Sequence, residues 1–284
     1  MDDFWDPHEP VLSPQVLDLL HEYSKIPPSE HISHVKKIRS RAWQVRRYPC
    51  IGSYMSLELS MSQHAAYPQV LEALRSDAAE FTLLDLGCCL GQDLRKLLYD
   101  GAPGHRLTGY DVEPKFFEVG YETFQDKCHL QSTFLSGDFL AETNITLGRN
   151  TTEKGRMSLP DEPTYDFIHA ADFFHLWSWE KQIHATALML KSKPGCLLFG
   201  RNTGAEKARL LDQGPFASTS KDHTWLHDAE SMRRMLELVV EKSGRNLDFV
   251  VEEMSITDQR TLSIKAVTEL RWTRRLLFTI RTIL

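Results

Sequence analysis

Three aspartates and two glycines carry the first chemical signal in this chain. The stretch LLDLGCCLGQDL, residues 83–94, reaches Asp85 at the end of an apolar run and then turns between Gly87 and Gly91, enclosing Cys88, Cys89 and Leu90. Asp111 and Asp138 close two later apolar runs. Carboxylates at the ends of successive strands suit a ligand with hydroxyls to donate and a cationic end. They are poor companions for a pyrophosphate. Dinucleotide turns read G-x-G-x-x-G so that the backbone can press on phosphate at a helix N-terminus, whereas this one reads G-x-x-x-G behind a carboxylate. The spacing therefore disfavours a nicotinamide dehydrogenase.

Such ends have to be delivered by a sheet. Apolar runs at 81–87, 105–112, 130–139, 165–172 and 195–202 alternate with helix-like stretches at 92–103, 114–128 and 177–195. This rhythm predicts βαβ units and a mainly parallel sheet covered on both faces. The third crossover, residues 141–164, is polar and predicts a loop or short helix. Residues 205–225, with a Gly-Pro and several hydroxyls, read as a long irregular connection of the binding or lid type. Asp228 stands as an N-cap and Gly244 as a stop for the helix between them. Leu247 to Met254 and a stretch within 262–281 are expected to finish the sheet as an antiparallel hairpin at its edge. Residues 1–75 carry no strand rhythm. They read as a helical arm or cap on the ligand edge, broken at Pro27-Pro28, Pro49 and Pro68, ahead of a catalytic domain at 76–284.

A ligand with an ammonium, a sulfonium, a ribose diol and an adenine, but no phosphate, answers the carboxylate pattern: S-adenosylmethionine. The turn resembles motif I of class I methyltransferases, D/E-x-G-x-G-x-G, with Asp85, Gly87 and Gly91 matching and Cys89 at the middle glycine. That resemblance implies a Rossmann-like α/β fold with a seven-stranded, mainly parallel sheet. It also implies that Asp111, followed by Val112, accepts from the ribose hydroxyls, and that Gly137-Asp138-Phe139 holds the adenine. There Asp138 accepts from the amino group and Phe139 packs on the ring. Ala170 should back the cofactor. Cys89 fits as a packing residue if its backbone keeps a negative φ. The segments YPCIGSYMSLELSMSQHAAYP, LDLGCCLGQDLRKL and YDFIHAADFFHLWSWEKQ together resemble small fungal methyltransferases of meroterpenoid (austinol- and andrastin-type) pathways, over most of residues 40–245. This narrower resemblance implies methylation of the carboxyl group of a prenylated aromatic polyketide acid, such as farnesylated dimethylorsellinic acid.

Displacement at an activated methyl asks a protein mainly for alignment. An ionised carboxylate acceptor needs no base; a phenol does, and histidine is the natural type. His175, beyond the fourth strand, is the candidate base, the alternative being a histidine that packs the following helix. His169, inside the strand, reads as a core residue. Phe174 and Trp177, from the aromatic cluster at the same edge, are expected to line an apolar acceptor pocket, and Arg201 to meet a carboxylate. Tyr54, Met55, His64 and Tyr67 are candidates to close over the cofactor.

The totals bound the alternatives. A net charge of −6 and a pI near 6.1 argue against a nucleic-acid partner. No apolar run is long enough for stable membrane insertion. Five irregularly spaced cysteines make neither a disulfide framework nor a metal site. With no basic and apolar leader in MDDFWDPHEP, the expectation is a reduced, cytoplasmic enzyme for a small, apolar, carboxylate-bearing acceptor, compatible with a homodimer. The basic tail at 271–284 reads as a last edge strand or, alternatively, a membrane-touching segment. A phenol or carbon acceptor, and a non-catalytic methyltransferase-like binding partner, remain as alternatives.

Overall fold

The computed structural model describes residues 4–140, 165–211, 223–254 and 273–283. The third crossover and the strand candidate at 261–270 lie outside the described residues. Strands β1 (Leu83–Leu86), β2 (Leu107–Asp111), β3 (Thr133–Ser136), β4 (Phe167–Ala170) and β5 (Leu197–Ala205) pair in parallel, in the order β3-β2-β1-β4-β5. Every residue of β1 and β4 is buried, as expected for central strands covered on both faces. A hairpin of β6 (Arg209–Leu211) and β7 (Thr224–Leu226) follows, then β8 (Leu247–Met254) and β9 (Thr273–Thr282). This is the Rossmann-like seven-stranded sheet the motifs imply.

Two expectations change. The tail strand β9 is not at the edge: it lies antiparallel between β5 and β8, so β8 is the edge strand. Apolar positions Leu276, Phe278 and Ile280, all buried, give β9 that inner place, while Arg274 and Arg275 meet the acidic partners Glu253 and Glu58. The two ends of the irregular connection carry strand structure, because β5 runs on to Ala205 and β6 pairs Arg209 with Leu226 of β7; residues 212–222 lie outside the described residues.

The sheet's alternation splits the core in two. Leu84, Leu86, Ile168 and Leu198 face α7 (Trp179–Met189) and α8 (Ala229–Ser243). Leu83, Phe167, Leu197 and Phe199 face α4 (Tyr67–Arg75) and α5 (Gln92–Tyr99). Asp228 caps α8, its Oδ1 accepting from Ser231 N at 2.7 Å, and Gly244 ends it with a φ of +65°. The prolines of the arm start helices more than they break them. Pro68 occupies the first turn of α4, where its missing N–H costs nothing. In the arm, α1 (Pro14–Asp18), α2 (His31–Val45) and α3 (Pro49–Gly52) precede α4; α2 lies along α6 (Lys115–Phe124), and Val35, Ile38 and Ala42 share a third core with Phe116 and Val119. Among the described residues no helix is long and apolar enough to cross a membrane.

Candidate active site

The turn after β1 is built from backbone that few side chains tolerate. Gly87 and Gly91 have φ of +70° and +68°, and a Cβ on them would stand 2.9 Å from the Phe173 ring and 2.6 Å from the Arg95 guanidinium. Gly91 opens α5. The N–H groups of Gly87 and Cys88 both donate to Tyr110 O, tying the turn to β2. Cys89 departs from expectation. Its φ is +51°, in the left-handed region that costs a non-glycine residue about 1–2 kcal/mol. Two contacts hold it there: its N–H donates to Asp111 Oδ2 at 2.9 Å, and its side chain packs on the arm's core beside Tyr48 and Cys50. Burial, with Cys50 nearby, pushes its thiol well above the ordinary range, which disfavours the thiolate.

Asp111 sits at the end of β2 beside this turn, with Oδ1 accepting from Glu113 N at 2.9 Å. Burial lifts its carboxyl to about 6, against the pull of those two N–H groups. Val112 and Asp138 lie exposed on the rim, and Asp138 Oδ1 accepts from Leu140 N at 3.1 Å. Phe139 is turned inward, edge-on to Tyr110 and Phe173, and Ala170 is wholly covered by protein. Neither side chain presents the open face expected of it, because both belong to the core under α7 and α8.

Three residues that sequence reading missed brace the turn. Arg95 and Asp126, each with 0% side-chain exposure, form a two-pronged pair at 2.8 and 3.0 Å, and Arg95 Nη1 donates to Leu90 O at 2.8 Å. Gly120, in the middle of α6, lets that helix lie against the turn: a Cβ would stand 2.3 Å from Leu90 O. A glycine inside the apolar helix FFEVGYETF was the available signal for a close approach.

On the acceptor side, Asp172 follows β4 with a φ of +49°. Its Oδ2 accepts from Arg201 Nε and its Oδ1 from Thr203 Oγ1, both at 2.8 Å. Burial opposes that carboxylate, but Arg201 and Arg275 outweigh it and hold its pKa well below the usual range. Arg201 also reaches Glu58 Oε2 at 2.6 Å, and Arg275 meets the same oxygen at 3.3 Å. Thus Arg201 is already answered by two carboxylates, which leaves it ill-suited to receive a third. Phe174 is fully buried, edge-on to Phe278, and is core where an acceptor contact was expected. Trp177 is half-buried at the rim, edge-on to Phe173 at 4.7 Å. His175 is buried, its backbone N–H donating to Asn202 Oδ1 at 3.1 Å, and burial lowers its pKa against the pull of Asp172.

Of the arm residues expected to close over the cofactor, three are engaged elsewhere. Tyr67 donates to Asp100, Tyr54 lies under Arg39, and His64 packs on Phe199. Tyr48 and Cys50 reach the turn in their place.

Sheet order, turn and strand-end carboxylates define a class I methyltransferase fold. The chain superposes on the N-terminal domain of EvdMO1 with SAH bound at a TM-score of 0.52, with 11% identity, over 88% of this chain and 97% of that one. A meroterpenoid methyltransferase N-terminal domain model matches residues 4–55. The chain is 34% identical to the O-methyltransferase phiE of a fungal species (strain ATCC 74256), over 83% of this chain and 74% of that protein. It is 32% identical to the methyltransferase adrK of Penicillium roqueforti, over 81% and 77%, and 36% identical to the asnovolin E/chermesin D methyltransferase nvfJ of Aspergillus novofumigatus, over 64% and 62%. The chain belongs to the S-adenosylmethionine-dependent methyltransferase family of these fungal relatives.

Proposed function

We propose that this chain methylates the carboxyl oxygen of a small, largely apolar aromatic acid of the prenylated polyketide kind. The observation that carries the cofactor half of this reading is the Gly87–Gly91 turn held 2.9 Å from the Asp111 carboxylate. S-adenosylmethionine supplies a methyl group already activated on a sulfonium. Asp111 holds the ribose hydroxyls, and the exposed Asp138 receives the adenine amino group at the rim. The arm, residues 1–75, caps the site through Tyr48 and Cys50 and limits water there. Trp177 offers the acceptor an apolar edge. Because a carboxylate is ionised at neutral pH, no base is required, and catalysis is closeness and alignment.

A phenol acceptor is the second reading, favoured by one observation: His175 is buried just beyond β4, where burial lowers its pKa and so favours the neutral form that a general base needs. Calorimetry with S-adenosylmethionine followed by mass spectrometry of products from prenylated aromatic acids tests the first reading. A methyl ester product whose formation falls less than about threefold in His175→Ala supports it, whereas a phenol methyl ether whose formation falls about 10²-fold or more in that variant supports the second reading. Absence of cofactor binding by folded protein would overturn both.

A further inference from the structure

Beneath the turn, on the face of the sheet under α5, lies a buried ionisable group that the reading above leaves without a task. Register places His169 of β4 directly beside Asp85 of β1. Its Nδ1 is 2.7 Å from Asp85 Oδ1, and the two side chains are 1% and 4% exposed. The ring lies on Phe199, and Nε2 is buried with no hydrogen-bond partner. The charged or titratable groups facing it are Asp85 from β1, Asp93 from α5, His64 from the arm and Arg201 from β5. Asp93 cannot serve Asp85, because its own oxygens accept from Ser60 Oγ at 2.9 Å and Met61 N at 3.0 Å. A histidine with one partnered nitrogen has its orientation set by that partner, so Nδ1–H is the donor to Asp85. Asp85 lies two residues before Gly87, at the root of the turn. An imidazole that only filled space would not need a 2.7 Å bond to that carboxylate.

We propose that His169 is a positioning residue for the cofactor: its Nδ1–H pins Asp85 Oδ1 and thereby fixes Asp85's second oxygen and the start of the turn. The proposal rests on the cofactor reading above and adds a residue to it. Burial works against the imidazolium, but Asp85 and Asp93 outweigh it and raise its pKa.

Two variants separate positioning from packing. His169→Asn keeps a donor near the Nδ1 position, while His169→Phe keeps the ring against Phe199 and loses the donor. Hydrogen bonds to charged groups imply that His169→Phe weakens S-adenosylmethionine binding roughly tenfold or more by calorimetry. His169→Asn should stay within about threefold of wild type, and His169→Phe should add nothing in an Asp85→Asn background. A folded His169→Phe protein that binds the cofactor as wild type does would overturn the proposal. So would equal losses in the Asn and Phe variants, or additive losses in the double variant. If His169→Phe does not fold, the wild type labelled with 15N-histidine decides: the His169 Nδ1–H signal must shift when S-adenosylmethionine is added, and an unmoved signal overturns the idea. Wild-type protein that binds no cofactor at all refutes the function reading itself, a distinguishable result.

Discussion

Replacing Asp126 by Asn should strongly destabilise this protein, although the residue lies beneath the turn and not on its ligand side. Asp126 accepts from Arg95 Nε and Nη2 and from Tyr23 OH at 2.8 Å, all within the protein. In the Asn variant an amide N–H₂ replaces one oxygen and faces a donor. The Arg95 charge then stays in a site with 0% side-chain exposure and no counter-ion. Breaking a buried pair from one side costs about 3–5 kcal/mol, against a total stability of about 5–15 kcal/mol. With a urea slope of about 2–3 kcal/mol/M, the unfolding midpoint should fall by roughly 1–2 M. Converting the pair to Arg95→Met with Asp126→Leu should recover much of that stability, since apolar replacements of buried pairs are often neutral. It should not recover cofactor binding, because the carbonyls of Leu90 and Gly91 then lose the guanidinium that tethers them. Urea melts and calorimetry read both quantities. A single-variant loss below about 1 kcal/mol, or wild-type affinity in the double variant, would refute the claim that this pair braces the turn.

Gly120→Ala should cost about 1–3 kcal/mol in a urea melt and weaken S-adenosylmethionine binding in calorimetry, because its methyl would push α6 off Leu90 O. At Cys89, with φ at +51°, Gly should keep stability within about 1 kcal/mol, whereas Val should lose about 2 kcal/mol relative to Gly by thermal unfolding. Asp111, with its carboxyl at about 6, should bind the ribose hydroxyls only when ionised. Affinity by calorimetry should therefore be flat above pH 7 and about tenfold weaker at pH 5. The sign for folding is opposite: the raised values of Asp111 and Asp93, both about 6, favour the fold most below pH 4, and that contribution is lost as pH rises through 6.

What the sequence made legible was local. The strand-end carboxylates, the Asp228 cap, the Gly244 stop and β8 at Leu247–Met254 all follow from periodicity and from residues with one dominant conformational use. What escaped was set by long-range geometry. Asp85 and His169 are joined only by strand register, and nothing in FIHAAD says that its histidine faces a carboxylate. Nothing within QDLRKLLY marks Arg95 as buried, because what covers it comes from α6 and, through Tyr23 on Asp126, from the arm. The inner position of β9 depends on strand order, which alternation along one strand cannot report. Cys89 failed for a different reason: φ at a turn is decided by its two partners, Asp111 and the arm, and only one of them was visible nearby.

The arm also supplies the charge that lets β5 and β9 lie side by side here, and this can be tested directly. Glu58 Oε2 stands between the guanidiniums of Arg201 and Arg275, which repel each other in a buried place. Glu58→Gln removes the one carboxylate that directly contacts both arginines among the described residues, leaving Asp172 as the sole hydrogen-bonded anion on Arg201. Glu58 has a side-chain exposure of 12%, so the loss should fall at or below the low end of the buried-pair range, about 2–3 kcal/mol. Because the arm is what Glu58 anchors, the damage should be local as well as global. Protease cleavage between residues 53 and 66 should quicken before the sheet unfolds, and high salt should soften the effect by screening the arginine pair. Unchanged cleavage together with an unchanged melt would show that the arm is held by its apolar contacts alone, Leu57, Leu59 and Met61 being enough without the charge.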